Sequence, residues 1–136
     1  MKVRPLGLTD FMSNGTQIGE WMDGIVKHSH GEFTTDELKQ VIERGSHHAW
    51  AWCEDGGAVV GMFVTTVVSY SGDKCLSIIG AAGSVQDAWD EASDILMGMA
   101  KHMECVTAEI RGREGFAKRF KNSGWELKYV TLSKAV

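Results

Sequence analysis

The chain is short of proline, cysteine and positive charge, and it has no long apolar run. One proline in 136 residues leaves no proline-rich linker, and neither repeats nor low-complexity segments occur. The three cysteines, Cys53, Cys75 and Cys105, form an odd set without C-x-x-C spacing. That excludes a disulfide framework, and their strand-like surroundings mark them as reduced core residues of a cytosolic protein. The richest apolar stretch, residues 58–68, is broken by Gly61, Thr65 and Thr66, short of the roughly 20 residues that span a membrane. The opening MKVRPLGLTD lacks the apolar centre of a signal peptide. Fourteen Lys and Arg against eighteen Asp and Glu give a net charge of −4, which argues against general nucleic-acid binding. No G-x-S-x-G elbow, P-loop or Ser/His/Asp pattern is present.

What is present reads as one domain, residues 1–136, with enough apolar residues for a proper core. The charge is divided. Residues 111–136 hold seven Lys and Arg with two Glu, a balance of +5, and residues 1–110 carry −9. The basic end is either a solvated face or a docking surface for an acidic partner, with Arg113, Lys118, Arg119 and Lys121 as its residues.

KVRPL reads as a short first strand limited by Pro5. Ile18, Trp21, Met22, Ile25 and Val26 make the apolar stripe of a helix over about 16–27. Thr34 with Glu37 fits a capping box for a second helix, stopped at Gly45. A three-strand meander follows, AWAWCE, AVVGMFVTTVVSY and KCLSIIGAA, turned at EDGG and SGD. Ser84 is the expected cap of the longest helix, whose apolar face runs from Val85 to Met103. CVTAEIR, REGFAKRFKNSG and WELKYVTLSK read as strand, short helix and last strand. The order β-α-α-β-β-β-α-β-α-β predicts an α/β (α+β) mixed sheet of six or seven strands with helices on both faces.

The stretch IIGAAGSVQDAWDEA has the outline of a phosphate cradle: an apolar strand, glycines, a serine and a helix start. The candidate anion contacts are Gly80, Gly83, Ser84 and Val85, with Arg113 as a further cation. Asp87, Asp90 and Glu91 fall in the first turns of that helix, where they favour the helix and repel a pyrophosphate within a Debye length of about 8–10 Å.

This element order, with the closing REGFAKRFKNSGWE, resembles the GNAT (Gcn5-related N-acetyltransferase) family across nearly the whole chain. The ending GREGFAKRFKNSGWELKYVTLSK is also similar to acetyltransferase-like proteins of tailed bacteriophages, some of them virion components. The family resemblance implies acetyl-CoA as cofactor, an R/Q-x-x-G-x-G/A loop before the long helix, a tyrosine four residues before the closing glycine and an asparagine early in the same helix. Here the loop reads GAAGSVQD, Phe120 stands in the tyrosine position and Arg113 in that of the asparagine. A phenyl ring cannot donate a proton, and general acid catalysis contributes about 10²–10⁴-fold.

A base for an amine acceptor would come from Glu109 or Glu54, the strand carboxylates; Arg111, two residues from Glu109 on the same face, suggests an ion pair. The five histidines lack zinc-site spacing, so no metal is expected. Trp50, Trp52, Phe63, Trp89 and Trp125 belong to the core or to an interface. The sequence therefore favours a phage-type protein without catalysis or cofactor, in the cytoplasm of a host cell or in the virion, acting through a protein partner or self-association. The alternative is a divergent acetyl-CoA-dependent N-acetyltransferase.

Overall fold

The computed structural model describes residues 1–85, 88–112 and 115–136. Its elements are β1 (Lys2–Pro5), α1 (Leu8–Lys27), α2 (Thr35–Glu43), β2 (His48–Cys53), β3 (Val59–Tyr70), β4 (Asp73–Gly83), α3 (Trp89–His102), β5 (Thr107–Ile110) and α4 (Gly115–Phe120), followed by a 3-10 turn, Lys121–Ser123. The strands form one sheet in sequence order, β1-β2-β3-β4-β5. Pairs from β1 to β4 are antiparallel; β4 and β5 are parallel, Leu76 beside Ala108, because α3 carries the chain back across the sheet.

The predicted order holds through α4. The predicted last strand does not form: residues 125–136 are irregular, so the described sheet has five strands rather than six or seven. The segment takes no ladder partner in the described sheet, although Lys128 reaches Glu109 of β5 at 3.6 Å.

Helices cover both faces. Ile18, Met22 and Ile25 of α1 and Leu38 of α2 pack with Met62 and Val64 of β3 on one side. On the other, Ala92, Leu96 and Ala100 of α3 and Phe120 of α4 pack with Phe63, Leu76, Ile78 and Val85. The hydroxyl of Thr34 accepts the Glu37 N–H at 3.1 Å, as the capping box predicts. Helix α1 is longer than its apolar stripe. It begins at Leu8, kinks at Asn14, and is held at its start by Asp10, whose carboxylate accepts the Gly7 N–H at 2.8 Å. Arg4 of β1 grips the same buried carboxylate at 2.6 and 2.7 Å. The β3–β4 turn is Ser71-Gly72, both at positive φ (53° and 88°), which is the geometry of a tight two-residue hairpin.

Candidate functional site: the parting of β4 and β5

Opposite Val64 and Thr65 the register of β4 slips: Val64 faces Gly80 and Thr65 faces Ile78, leaving Ile79 as an extra residue. Such a bulge bends its strand and shifts the alternation of side chains by one. Leu76 and Ile78 thus face α3 before it and Ala81 after it, whereas Ile79 and Ala82 join the α1 side. Pairing with β5 stops at the same place. Ile78 is the last β4 residue in register with β5, and Gly80–Gly83 pair with β3 alone. The sheet opens there into a wedge.

Two hollows flank the wedge. On the α3 side a cleft of about 70 Å³, partly open to solvent, is walled by Trp52, Phe63, Trp89, Leu96, Phe116 and Phe120, with Ala81–Val85 along its floor. On the α1 side a shallow hollow, with room for about 10 Å³, includes Ile25, His28, Gly80 and Arg111. The Phe116 ring lines both, and it is packed so closely on Gly112 that a Cβ there would lie 2.9 Å from it.

The glycines of the predicted cradle are required by packing. A Cβ on Gly80 would meet Ile25 Cγ2 at 2.5 Å. One on Gly83, whose φ is +92°, would meet the Gly61 Cα and the Val60 carbonyl oxygen at 2.4 Å each. Ser84 does not cap the helix: its N–H donates to the Val60 carbonyl at 3.0 Å, which extends the β3–β4 ladder. The described helix starts at Trp89, four residues later than that cap implies, behind Ala88, which supplies no side-chain cap. Val85 turns inward and is buried in the α3-side core rather than heading a helix. Asp87 and Arg113 lie outside the described residues.

Asp90 and Glu91 occupy the first turn of α3. Asp90 accepts a hydrogen bond from the Ser123 hydroxyl. Glu91 pairs at 2.8 Å with the Met1 amine, which also meets Asp55 at 2.6 Å. These two carboxylates hold the amine pKa above its usual value, chiefly through their hydrogen bonds. Arg119 lies 5.1 Å over the Trp89 ring. Among the described residues, the carboxylates of the first turn of α3 and the engaged Ser84 N–H both disfavour a pyrophosphate at this point.

The tyrosine position is equally closed. Phe120 is 3% exposed, edge-on to Trp89 at 5.4 Å, stacked on Phe116 at 6.4 Å and tilted against Trp125 at 5.4 Å. Trp125 is itself pinned by its indole N–H on Ser93 Oγ at 2.7 Å. One polar atom in this box has no partner among the described residues: the indole N–H of Trp89, buried at the edge of the cleft. A tryptophan near the first turn of an amphipathic helix is the only sequence sign of that donor.

The two candidate bases are far apart. Glu109 sits level with Ser77 of β4, and Glu54 follows β2 beyond the level of Gly83. About six strand residues separate those levels, roughly 20 Å. Glu54 is an exposed turn residue whose carbonyl accepts the Gly57 N–H. Glu109 meets Arg111 at 3.8 Å, as its position on β5 predicts. Two further partners come from distant parts of the chain: the Tyr70 hydroxyl donates to it at 2.8 Å, and Lys128 lies 3.6 Å away. The Tyr70 pKa rises because its proton is bonded to this carboxylate, and that of Arg111 rises chiefly through its hydrogen bond with Tyr70. Lys118 and Lys121 stand exposed on and just after α4. All three cysteines are free, and burial pushes the Cys105 thiol up. Among the described residues no three His, Cys, Asp or Glu side chains gather at one point, and no helix is long and apolar enough to cross a membrane.

No family model matches the sequence, and no curated protein does. Solved structures match it throughout. Glucosamine-6-phosphate N-acetyltransferase from Arabidopsis thaliana superposes with a TM-score of 0.67 at 17% identity, over 98% of this chain and 97% of that one. A GNAT family acetyltransferase from Staphylococcus aureus gives 0.67 at 9% identity, over 99% and 98%. Ribosomal-protein-alanine N-acetyltransferase from Brucella melitensis gives 0.67 at 10%, over the whole of both chains. The chain has the fold of the GNAT acetyltransferases.

Proposed function

We propose that this is a GNAT-fold protein that works through protein contacts and does not transfer acetyl groups. The observation that carries the reading is Phe120: the position where the resemblance implies a proton donor holds a phenyl ring sealed between Trp89, Phe116 and Trp125. The negative start of α3 and the engaged Ser84 N–H support it, because each disfavours the phosphates of the cofactor. Fold alone does not carry activity. The exposed cations of α4 offer the contact surface, and the resemblance of the closing segment to tailed-phage proteins supports a role in a virion or against a host target.

The second reading, a divergent N-acetyltransferase, has one observation in its favour. The buried, unpartnered Trp89 N–H borders an apolar cleft and is suited to an acceptor atom on a ligand there. Thiol release from acetyl-CoA in the presence of small amines and amino-terminal peptides separates the two. The first reading predicts release at the rate of the protein-free blank. Turnover above the blank that depends on the amine supports the second.

A further inference from the structure

The edge of β4 that faces the wedge is open. Ser84 donates its N–H to Val60, and antiparallel pairing alternates, so Ala82 and Gly80 also bond toward β3. Ala81, between them, turns its N–H and C=O the other way, where β5 has already left. Among the described residues these two groups have no ladder partner. The last such group that β5 serves is the Ile78 carbonyl, which accepts the Arg111 N–H at 2.9 Å.

The two sides of this opening differ. The Ala81 side chain lies on the α3 side, on the floor of the apolar cleft. The room there, about 70 Å³, is that of about five waters. Water suits it poorly, because a buried water needs two to four polar partners and the walls are chiefly Phe63, Ile78, Leu96 and Ile110. The Trp89 N–H is buried at the same wall without a partner among the described residues. Its ring is held by edge contacts with Phe116 and Phe120 and by Arg119 over its face. Turning the N–H out to solvent would undo those contacts. On the α1 side the hollow beside Ile25, Gly80 and Arg111 has room for about 10 Å³, one water at most.

We propose that the wedge takes an extended peptide segment of a partner protein: a small residue, an aliphatic anchor and a second small residue, in sequence. The inference rests on the protein-contact reading above and names the segment recognised. The anchor pairs with Ala81, each N–H donating to the other's C=O. Residues opposite one another in a ladder put their side chains on the same face, so the anchor enters the cleft beside Ala81. A leucine side chain suits that space. The residues on either side of the anchor point to the α1 side, where the hollow admits only glycine or alanine. A carbonyl of the same segment gives the Trp89 N–H its acceptor. A free apolar molecule would fill the cleft and leave the Ala81 groups unpaired. A peptide satisfies both, with main-chain bonds for affinity and a side-chain pocket for specificity.

The probe is the blocked tripeptide N-acetyl-Ala-Leu-Ala-methylamide, added to the isotope-labelled chain. The readout is the Trp89 indole N–H signal, one of five tryptophan indoles, assigned by its loss in Trp89→Phe. That signal should move saturably at millimolar peptide. The same peptide with alanine at its centre should bind about tenfold more weakly or worse, for want of the apolar group. The isomer with D-leucine should also bind more weakly, because it cannot pair with Ala81 and fill the cleft together. Ala81→Leu, which fills the cleft from its own floor, should not bind the probe, with far-ultraviolet dichroism unchanged. An unmoved Trp89 signal overturns the proposal. So does equal binding of the L and D forms, since a free apolar molecule would then serve as well. Both comparisons use the unaltered chain and do not depend on how a variant folds. Thiol release from acetyl-CoA above the blank removes the protein-contact reading and the proposal with it; an unmoved signal with release at the blank rate overturns the proposal alone.

Discussion

Replacing Gly83 by alanine should unfold this protein more readily than alanine at any other glycine of the β4 wedge. The new Cβ would lie 2.4 Å from the Gly61 Cα and from the Val60 carbonyl oxygen, both backbone atoms that no rotamer change can move. Relief requires β3 and β4 to separate where Ser84 donates to Val60. Overpacking of this kind costs about 1–3 kcal/mol, and the positive φ adds about 1–2 kcal/mol for an L side chain. The sum is about 2–5 kcal/mol, a fall in Tm of roughly 10 °C or more at the middle of that range for a chain of this size. Gly80→Ala should cost less, about 1–2 kcal/mol net, because Ile25 is a side chain that can yield and alanine reduces the freedom of the unfolded chain. Gly72→Ala, with positive φ and open space around it, isolates the backbone term at about 1 kcal/mol. Urea titrations followed by tryptophan fluorescence give all three values. If Gly83→Ala is no less stable than Gly72→Ala, the packing explanation of these glycines is wrong.

Phe120→Tyr should lower stability by about 1–3 kcal/mol, the cost of a buried hydroxyl without a partner, and should produce no thiol release from acetyl-CoA. Asp10 has its pKa lowered, first by the hydrogen bond to Arg4, so it adds stability above the ordinary carboxylate range that is lost as pH falls through and below it. Acid titration of Asp10→Asn should show a smaller loss of stability over that range than the unaltered chain. Trp125→Phe removes the bond to Ser93 Oγ and should cost about 1 kcal/mol by denaturant titration. Reversing Lys118, Arg119 and Lys121 to glutamate should abolish capture of a native partner while the dichroism spectrum stays intact; capture that survives would make α4 a solvated face.

The parts of the fold legible in the sequence are those decided by neighbours in the chain. Thr34 and Glu37 cap α2 locally, Ser71-Gly72 turns the hairpin, and the apolar stripe of α3 marks the crossover that makes β4 and β5 parallel. Where a distant residue decides, the pattern misleads. The first turns of α1 bury Asp10 alone and are held by the grip of Arg4 from β1 on that carboxylate. Ser84 looks like a cap, but the Val60 carbonyl holds its N–H in the sheet. The last segment has the composition of a strand but takes no ladder partner in the described sheet. In the candidate site, the pattern finds Gly80 and Gly83 but not the backbone and Ile25 atoms that require them. It also finds the Glu109–Arg111 pair, two residues apart, but misses Tyr70 and Lys128, which reach it from far along the chain.

Titration calorimetry of the protein with acetyl-CoA tests most directly whether this fold has given up the family's cofactor. The negative α3 start and the engaged Ser84 N–H predict no saturable heat at micromolar ligand and no rise in Tm when acetyl-CoA is added. Saturable micromolar binding that raises Tm would contradict the account and return the parting of β4 and β5 to the role of a cofactor site.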